Sequence, residues 1–201
     1  MPRTGERGGP QTRARISDIA TRMFIEQGFD AVTVAQIAKA AGVSSVTVFN
    51  HFPRKEDLLL DRADETAEIL RSAVRDRPRG TDVLTSLRAT ALRLVDQQHA
   101  LSGTVDGSAP FFRTVADSPA LLARSREIAA ELAATLRAEL DRDAAFDGDS
   151  ALLAAFVIAG YATVLTETAR KVIGGESNLA ADHRARVEKL FAVLRDGIGS
   201  A

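Results

Sequence analysis

Apolar residues recur every three or four positions along most of this chain, a spacing that predicts helices throughout. Ile16, Ile19, Ala20, Met23 and Phe24 form one such face over a helix from about Thr12 to Gln27, which Gly28 closes. Thr33 is a good N-cap, and Val34, Ile37, Ala38 and Ala41 follow on one face until Gly42 interrupts. A short helix restarts at Ser44 or Ser45, buries Val48 and leaves Ser45, Val46 and Thr47 facing out. Leu59, Ala63, Thr66, Leu70 and Ala73 predict a helix from Lys55 to about Arg75, which Pro78 and Gly80 end. Leu84, Leu87, Ala91, Leu94 and Val95 mark another over about Asp82 to Ala100. A loop (102–110) and one turn at Phe111 and Phe112 lead to Ser118 and Pro119, an N-cap and first-turn proline. The long helix they open runs to about Asp141. Residues 151–165 are almost wholly apolar, in a helix ending near Ile173, and Val187, Leu190, Phe191 and Leu194 define a last one over about Leu179 to Asp196. The expectation is an all-α chain of about nine helices.

The segment Phe29–Leu59 organises the rest. Ala38 and Gly42 are small where two helices must cross closely, as a helix-turn-helix requires. After it come Thr47, Phe49, His51 and Phe52, then Lys55, Glu56, Asp57 and Leu58. Together with Gly28, Thr33 and Ala41-Gly42-Val43-Ser44, this pattern resembles the DNA-binding head of the TetR family of transcriptional regulators, closely over residues 12–60. Phe49 departs from it, because the family usually has Tyr there and its hydroxyl often donates to a phosphate.

The resemblance implies a three-helix DNA-binding head at 12–54 and a helical ligand-binding and dimerisation body at 55–201, and the Gly, Pro and Arg content of 1–11 predicts a disordered basic arm before them. The resemblance places Ser44, Ser45, Val46 and Thr47 where the second helix meets the major groove, and Thr33, Thr47, His51 and Lys55 at phosphate-touching positions. Ser and Thr hydrogen-bond several bases and Val46 suits a thymine methyl, so no side chain here is a bidentate base reader. Lys55 is also read as a helix start, which favours an anion. The plain alternatives are a solvated charge at Lys55 and a buried capping group at His51. Phe29 and Phe52 read as core of the head.

In the body the resemblance implies a small-molecule effector between the middle helices, for which Leu94, Gln98, Phe111, Phe112, Phe156 and Tyr161 offer apolar walls with a few polar groups. It implies a homodimer through the last two helices. The apolar surface of 151–165 beside an amphipathic final helix supports that separately, with Val157, Val164, Val187, Leu190, Phe191 and Leu194 as interface residues; plain core packing is the alternative.

Composition narrows the field. There is no cysteine, and His51, His99 and His183 have no metal-ligand spacing, so neither metal nor cofactor is expected. The net charge is only −1, yet residues 1–62 hold nine basic against seven acidic side chains, Arg3, Arg7, Arg13 and Arg15 among them, and the remainder is acidic. That asymmetry fits double-stranded DNA held at one end. The apolar run is shorter than the about 20 residues of a membrane span, and the N-terminus lacks a signal-peptide core, so a cytoplasmic protein is expected. No catalytic constellation is legible, which argues against an enzyme using the body as a substrate site. The reading is a ligand-released repressor on a palindromic operator, with an activator or a ligand-independent DNA-binding factor as alternatives.

Overall fold

The computed structural model describes residues 9–197. Among them are nine α-helices and no strand. The helices are α1 (Pro10–Gln27), α2 (Val34–Ala40), α3 (Ser45–His51), α4 (Ala63–Arg75), α5 (Val83–Asp96), α6 (Ala109–Ala116), α7 (Pro119–Arg142), α8 (Ser150–Gly174) and α9 (Leu179–Asp196). Short 3₁₀ turns cover Glu56–Leu58 and Ala100–Ser102. The all-α expectation holds. Residues 1–8, with Arg3 and Arg7 of the expected arm, lie outside the described residues, and Pro10 and Gln11 belong to α1.

Two compact units divide the chain: residues through Asp61 with Arg113–Ser125, and Arg62–Phe112 with the residues from Arg126 on. This moves the expected boundary from 54/55 to 61/62 and gives the first unit a second piece of chain. In that unit Ile16, Ala20 and Phe24 of α1 are fully buried with Val32, Ile37, Val48 and Leu58, as the sequence periodicity predicts. Ile19 and Met23, expected on the same face, are only half-buried. The Phe24 and Phe29 rings meet at 4.9 Å. Arg124 on the first turns of α7 donates to Asp57 at 2.8 Å, and Leu121 beside it is fully buried.

The helix expected from Lys55 to Arg75 is broken. A 3₁₀ turn carries Leu58 and Leu59, both buried, and α4 begins only at Ala63. The cause is long-range. Ser17 donates to the Asp61 carboxylate at 2.6 Å and Arg13 to the Asp61 carbonyl at 3.2 Å, so α1 holds the chain where a continuous helix would have run.

In the larger unit α9 packs on α8 and α5, and α4 on α5, around Val74, Leu87, Leu136, Leu140, Ala154, Val157, Val187 and Phe191. A Cβ at Gly160 would stand 2.3 Å from Leu190, so α8 and α9 cross closely there. Asp82 caps α5 and Asp149 caps α8, each accepting from a backbone N–H at 2.9 Å. Arg77 fastens three stretches: it donates to the Val74 carbonyl, to the Thr81 carbonyl and to the Asp143 carboxylate, with both charged side chains largely buried.

The expected interface residues face their own chain. Val157, Val164, Val187 and Phe191 are buried core, and Leu190 and Leu194 pack against that core. Spacing identifies an apolar face without saying what covers it, and here α8 and α9 cover each other. By length and composition α8 could cross a membrane. Its buried stripe is Ala154, Val157, Val164, Thr168 and Val172, and only 22% of the apolar window is buried within this chain.

His183 lies in this core with no exposed surface, its Nδ1 2.8 Å from the Thr168 hydroxyl. Burial lowers its pKa from 6.5 to about 4. The unfolded chain therefore takes up a proton below 6.5 that the folded chain refuses until about 4, so stability is lost as pH falls through that window. Urea unfolding at pH 7.5 and pH 5 should differ by roughly 2 kcal/mol from this group, and a His183→Leu variant should lose that part of the slope.

Candidate functional site

The smaller unit presents a helix-turn-helix whose two short helices are capped by side chains. Thr33 and Gln36 form a reciprocal capping box on α2. The Gln36 N–H donates to Thr33 Oγ1 at 3.3 Å, and the Thr33 N–H donates to Gln36 Oε1 at 2.7 Å. Gly42 turns the chain at φ 65°, and the Val43 N–H closes on the Ala38 carbonyl at 2.9 Å. Ser44 caps α3, accepting the Thr47 N–H at 3.0 Å, with the Thr47 hydroxyl 2.9 Å away.

Only Val48 of α3 is buried, and Val46 and Phe49 stand 68% and 50% exposed. Apolar side chains that far out of a core are available to a partner. Ser45 and Thr47 flank them half-exposed, and Asn50 lies exposed on the same helix. Five of the expected contacts, Ser45, Val46, Thr47, Phe49 and His51, thus share one short helix, and two others change role. Thr33 and Ser44 spend their hydroxyls on caps, and their first task is to fix where α2 and α3 begin. His51 ends α3, half-buried, its ring 6.4 Å from Phe52. Missed by the sequence reading were Gln36, whose signal is the Thr-x-x-Gln spacing, and Lys39, exposed in the last turn of α2.

Lys55 is the largest correction. It precedes only a three-residue 3₁₀ turn, so the helix-start argument for an anion lapses. Its ammonium donates to the Phe29 carbonyl at 2.6 Å and sits 4.2 Å from the centre of the Phe29 ring. Desolvation lowers its pKa, opposed by Asp30 and Glu56. Lys55 therefore ties the α1–α2 turn to the segment after α3, and two N–H donors remain for a phosphate.

In the larger unit the expected pocket residues part company. Phe156 is 57% exposed on α8. Leu94 is half-buried on α5, and Phe111 and Phe112 meet edge to face at 5.4 Å on α6. An open cleft of about 400 Å³ is lined by Gln98, Thr104, Asp106 and Glu176–Ala181, with Gln98 alone from the expected set. Tyr161 faces His183 instead, ring to ring at 6.0 Å.

The sequence profile of the bacterial regulatory proteins, tetR family, matches residues 16–61, the stretch that builds this helix-turn-helix. Residues 16–61 thus resemble the DNA-binding head of the TetR family. The chain is 34% identical over 147 residues to the HTH-type transcriptional regulator TcmR of Streptomyces glaucescens, a match covering 66% of this chain and 64% of that one. The chain thus spans just under two thirds of that relative's length. Thermus thermophilus FadR, a repressor of the family solved with lauroyl-CoA, shares 25% identity and a TM-score of 0.59 over 92% of this chain and 94% of that one. SmeT, solved with triclosan, shares the fold at a TM-score of 0.62 and 18% identity, over 91% of each chain.

The double engagement of Lys55 separates two effects by substitution. Lys55→Ala should cost the head about 1–2 kcal/mol in urea unfolding, from the lost hydrogen bond and ring contact. Lys55→Gln keeps a donor for Phe29 and should recover much of that stability. If the remaining ammonium donors also meet a phosphate, both variants should shallow the salt dependence of DNA binding by about one unit of log K per log salt.

Proposed function

We propose that the protein is a cytoplasmic, homodimeric transcriptional repressor that binds a palindromic double-stranded operator and is released by a small-molecule effector. The carrying observation is α3: a side-chain-capped helix inside the family match that exposes Val46 and Phe49 beside Ser45, Thr47 and Asn50. Such a helix reads base edges while flanking groups fix register on phosphates. Without a hydroxyl on Phe49, the grip on the backbone rests on His51, Lys39 and the remaining Lys55 donors. No catalytic role is assigned to any residue.

A dimer is required to match two half-sites about 34–36 Å apart on one face of B-DNA. Its surface in this chain is the outer stripe of α8, where Leu152 and Phe156 are more than half exposed with Ala155 and Ala159 between and beside them. The effector reading draws on the cleft of the larger unit and on the relatives, among which FadR and SmeT were solved with small molecules. An effector releases DNA only by binding the DNA-incompetent state better, and the operator must weaken effector binding by the same factor.

The test is protection of a palindrome in the DNA upstream of the coding sequence, with reporter expression that rises when the protein is removed. Expression that falls on removal indicates an activator instead. Val46→Ala should alter which operator bases are preferred without changing the salt slope. Light scattering should return about twice the 21.5 kDa chain mass, and Phe156→Glu should halve it while leaving helix content unchanged. A Phe156→Glu protein that remains a dimer moves the interface elsewhere.

A further inference from the structure

Among the described residues, three buried side-chain atoms have no hydrogen-bond partner: Ser108 Oγ, the Tyr161 hydroxyl and His183 Nε2. Buried polar atoms are nearly always paired, so each needs an explanation. Two of them sit on rings that face each other at 6.0 Å and 85°.

Thr168 fixes the chemistry of the imidazole. Its hydroxyl proton goes to the Val164 carbonyl at 3.0 Å, so its oxygen accepts from His183 Nδ1–H at 2.8 Å. Nε2 is then the bare nitrogen, an acceptor lone pair with nothing to accept. Burial holds His183 near a pKa of about 4 and Tyr161 near about 12, so both rings are uncharged at neutral pH. The pair offers one acceptor and one O–H donor.

A cleft lies near them along the chain. The open cleft of about 400 Å³ is lined by Thr104 on one side and by Glu176–Ala181 on the other, and His183 follows Ala180 by one turn of α9. Gly103, next to Thr104, backs onto the same interior: a Cβ there would lie 3.3 Å from Leu165, 3.4 Å from Phe112 and 3.8 Å from Thr168. The loop Ser102–Thr104 thus lines the cleft through Thr104 and lies near Leu165, Phe112 and the Thr168 methyl at Gly103.

We propose that the cleft deepens past this loop to His183 and Tyr161, and that these two hold the head of an uncharged effector carrying a hydroxyl and a carbonyl oxygen. The effector hydroxyl donates to His183 Nε2, and the Tyr161 hydroxyl donates to the effector carbonyl. Phe112 and Leu165 supply the apolar wall. A carboxylate is disfavoured because its oxygens would meet a bare lone pair, and because Asp106 and Glu176 line the cleft. An ammonium would lose its hydration without gaining a counter-charge. The assignment rests on the effector reading above and names the chemistry that reading leaves open.

The test uses the full chain and three probes: 4-hydroxybenzophenone, benzophenone and dodecanoate. Calorimetry should find 4-hydroxybenzophenone at least tenfold tighter than either other probe, and its binding should shift the His183 Nε2 resonance of ¹⁵N-labelled protein. Tyr161→Phe and His183→Phe should each reduce its preference over benzophenone to within threefold. Tyr161→Phe removes an unpaired hydroxyl without changing shape, so it should fold with an undiminished Tm and keep the test open if His183→Phe does not fold. No binding of 4-hydroxybenzophenone, equal affinity for the two ketones, tighter dodecanoate, or a preference that survives Tyr161→Phe overturns the proposal. Operator binding is measured on the same preparation. Intact DNA binding without the hydroxyl preference removes the polar anchor alone, whereas absent DNA binding removes the regulator reading and leaves the calorimetry to judge the anchor.

Discussion

Helices of seven residues do not hold themselves together in water, because nucleation fixes several residues for each hydrogen bond gained. The reading surface of this protein is built from two of them, α2 and α3. Their ends are specified by side chains, Thr33 with Gln36 at one start and Ser44 at the other, and the left-handed Gly42 sets the corner between them. Burial then joins them to α1, which packs on α2 as α2 packs on α3, with Ile16, Ala20, Phe24, Ile37 and Val48 all fully buried. Everything exposed on α3 inherits its position from these few contacts. A side chain that reads a base edge is only as well placed as the cap that starts its helix.

That dependence explains why the head was legible in the sequence. Caps, turn glycines and a short apolar period are local, so Thr33, Gly42, Ser44 and Val48 could be placed from their neighbours alone. The break before α4 was not legible. It is set by Ser17 and Arg13 acting on Asp61 from more than forty positions away, while Leu59, Ala63 and Thr66 keep helical spacing through it. The same limit governed Lys55, whose lysine identity fits a phosphate contact and whose position was decided by the Phe29 carbonyl.

In the larger unit, periodicity found the helices and misjudged their coverings. Val157 and Val187 looked like surface offered to a second copy, and they prove to be where α8 and α9 meet within one chain. The side chains left outside, Leu152 and Phe156, fall on the opposite stripe of α8. His183 carried no sequence signal at all, since a lone histidine in an amphipathic helix reads as surface until its burial is seen.

Arg77 bears on how this chain can vary in length. Surface loops between helices ordinarily accept inserted residues at little thermodynamic cost, because closure entropy grows slowly with loop size. The connection from α4 to α5 is different, since one guanidinium reaches back to Val74, forward to Thr81 and across to Asp143. An added residue between Arg77 and Thr81 would pull the Thr81 carbonyl out of reach and leave a largely buried cation one partner short. Related chains that lengthen this connection must therefore replace the arginine as well, so loop length and residue identity change together here.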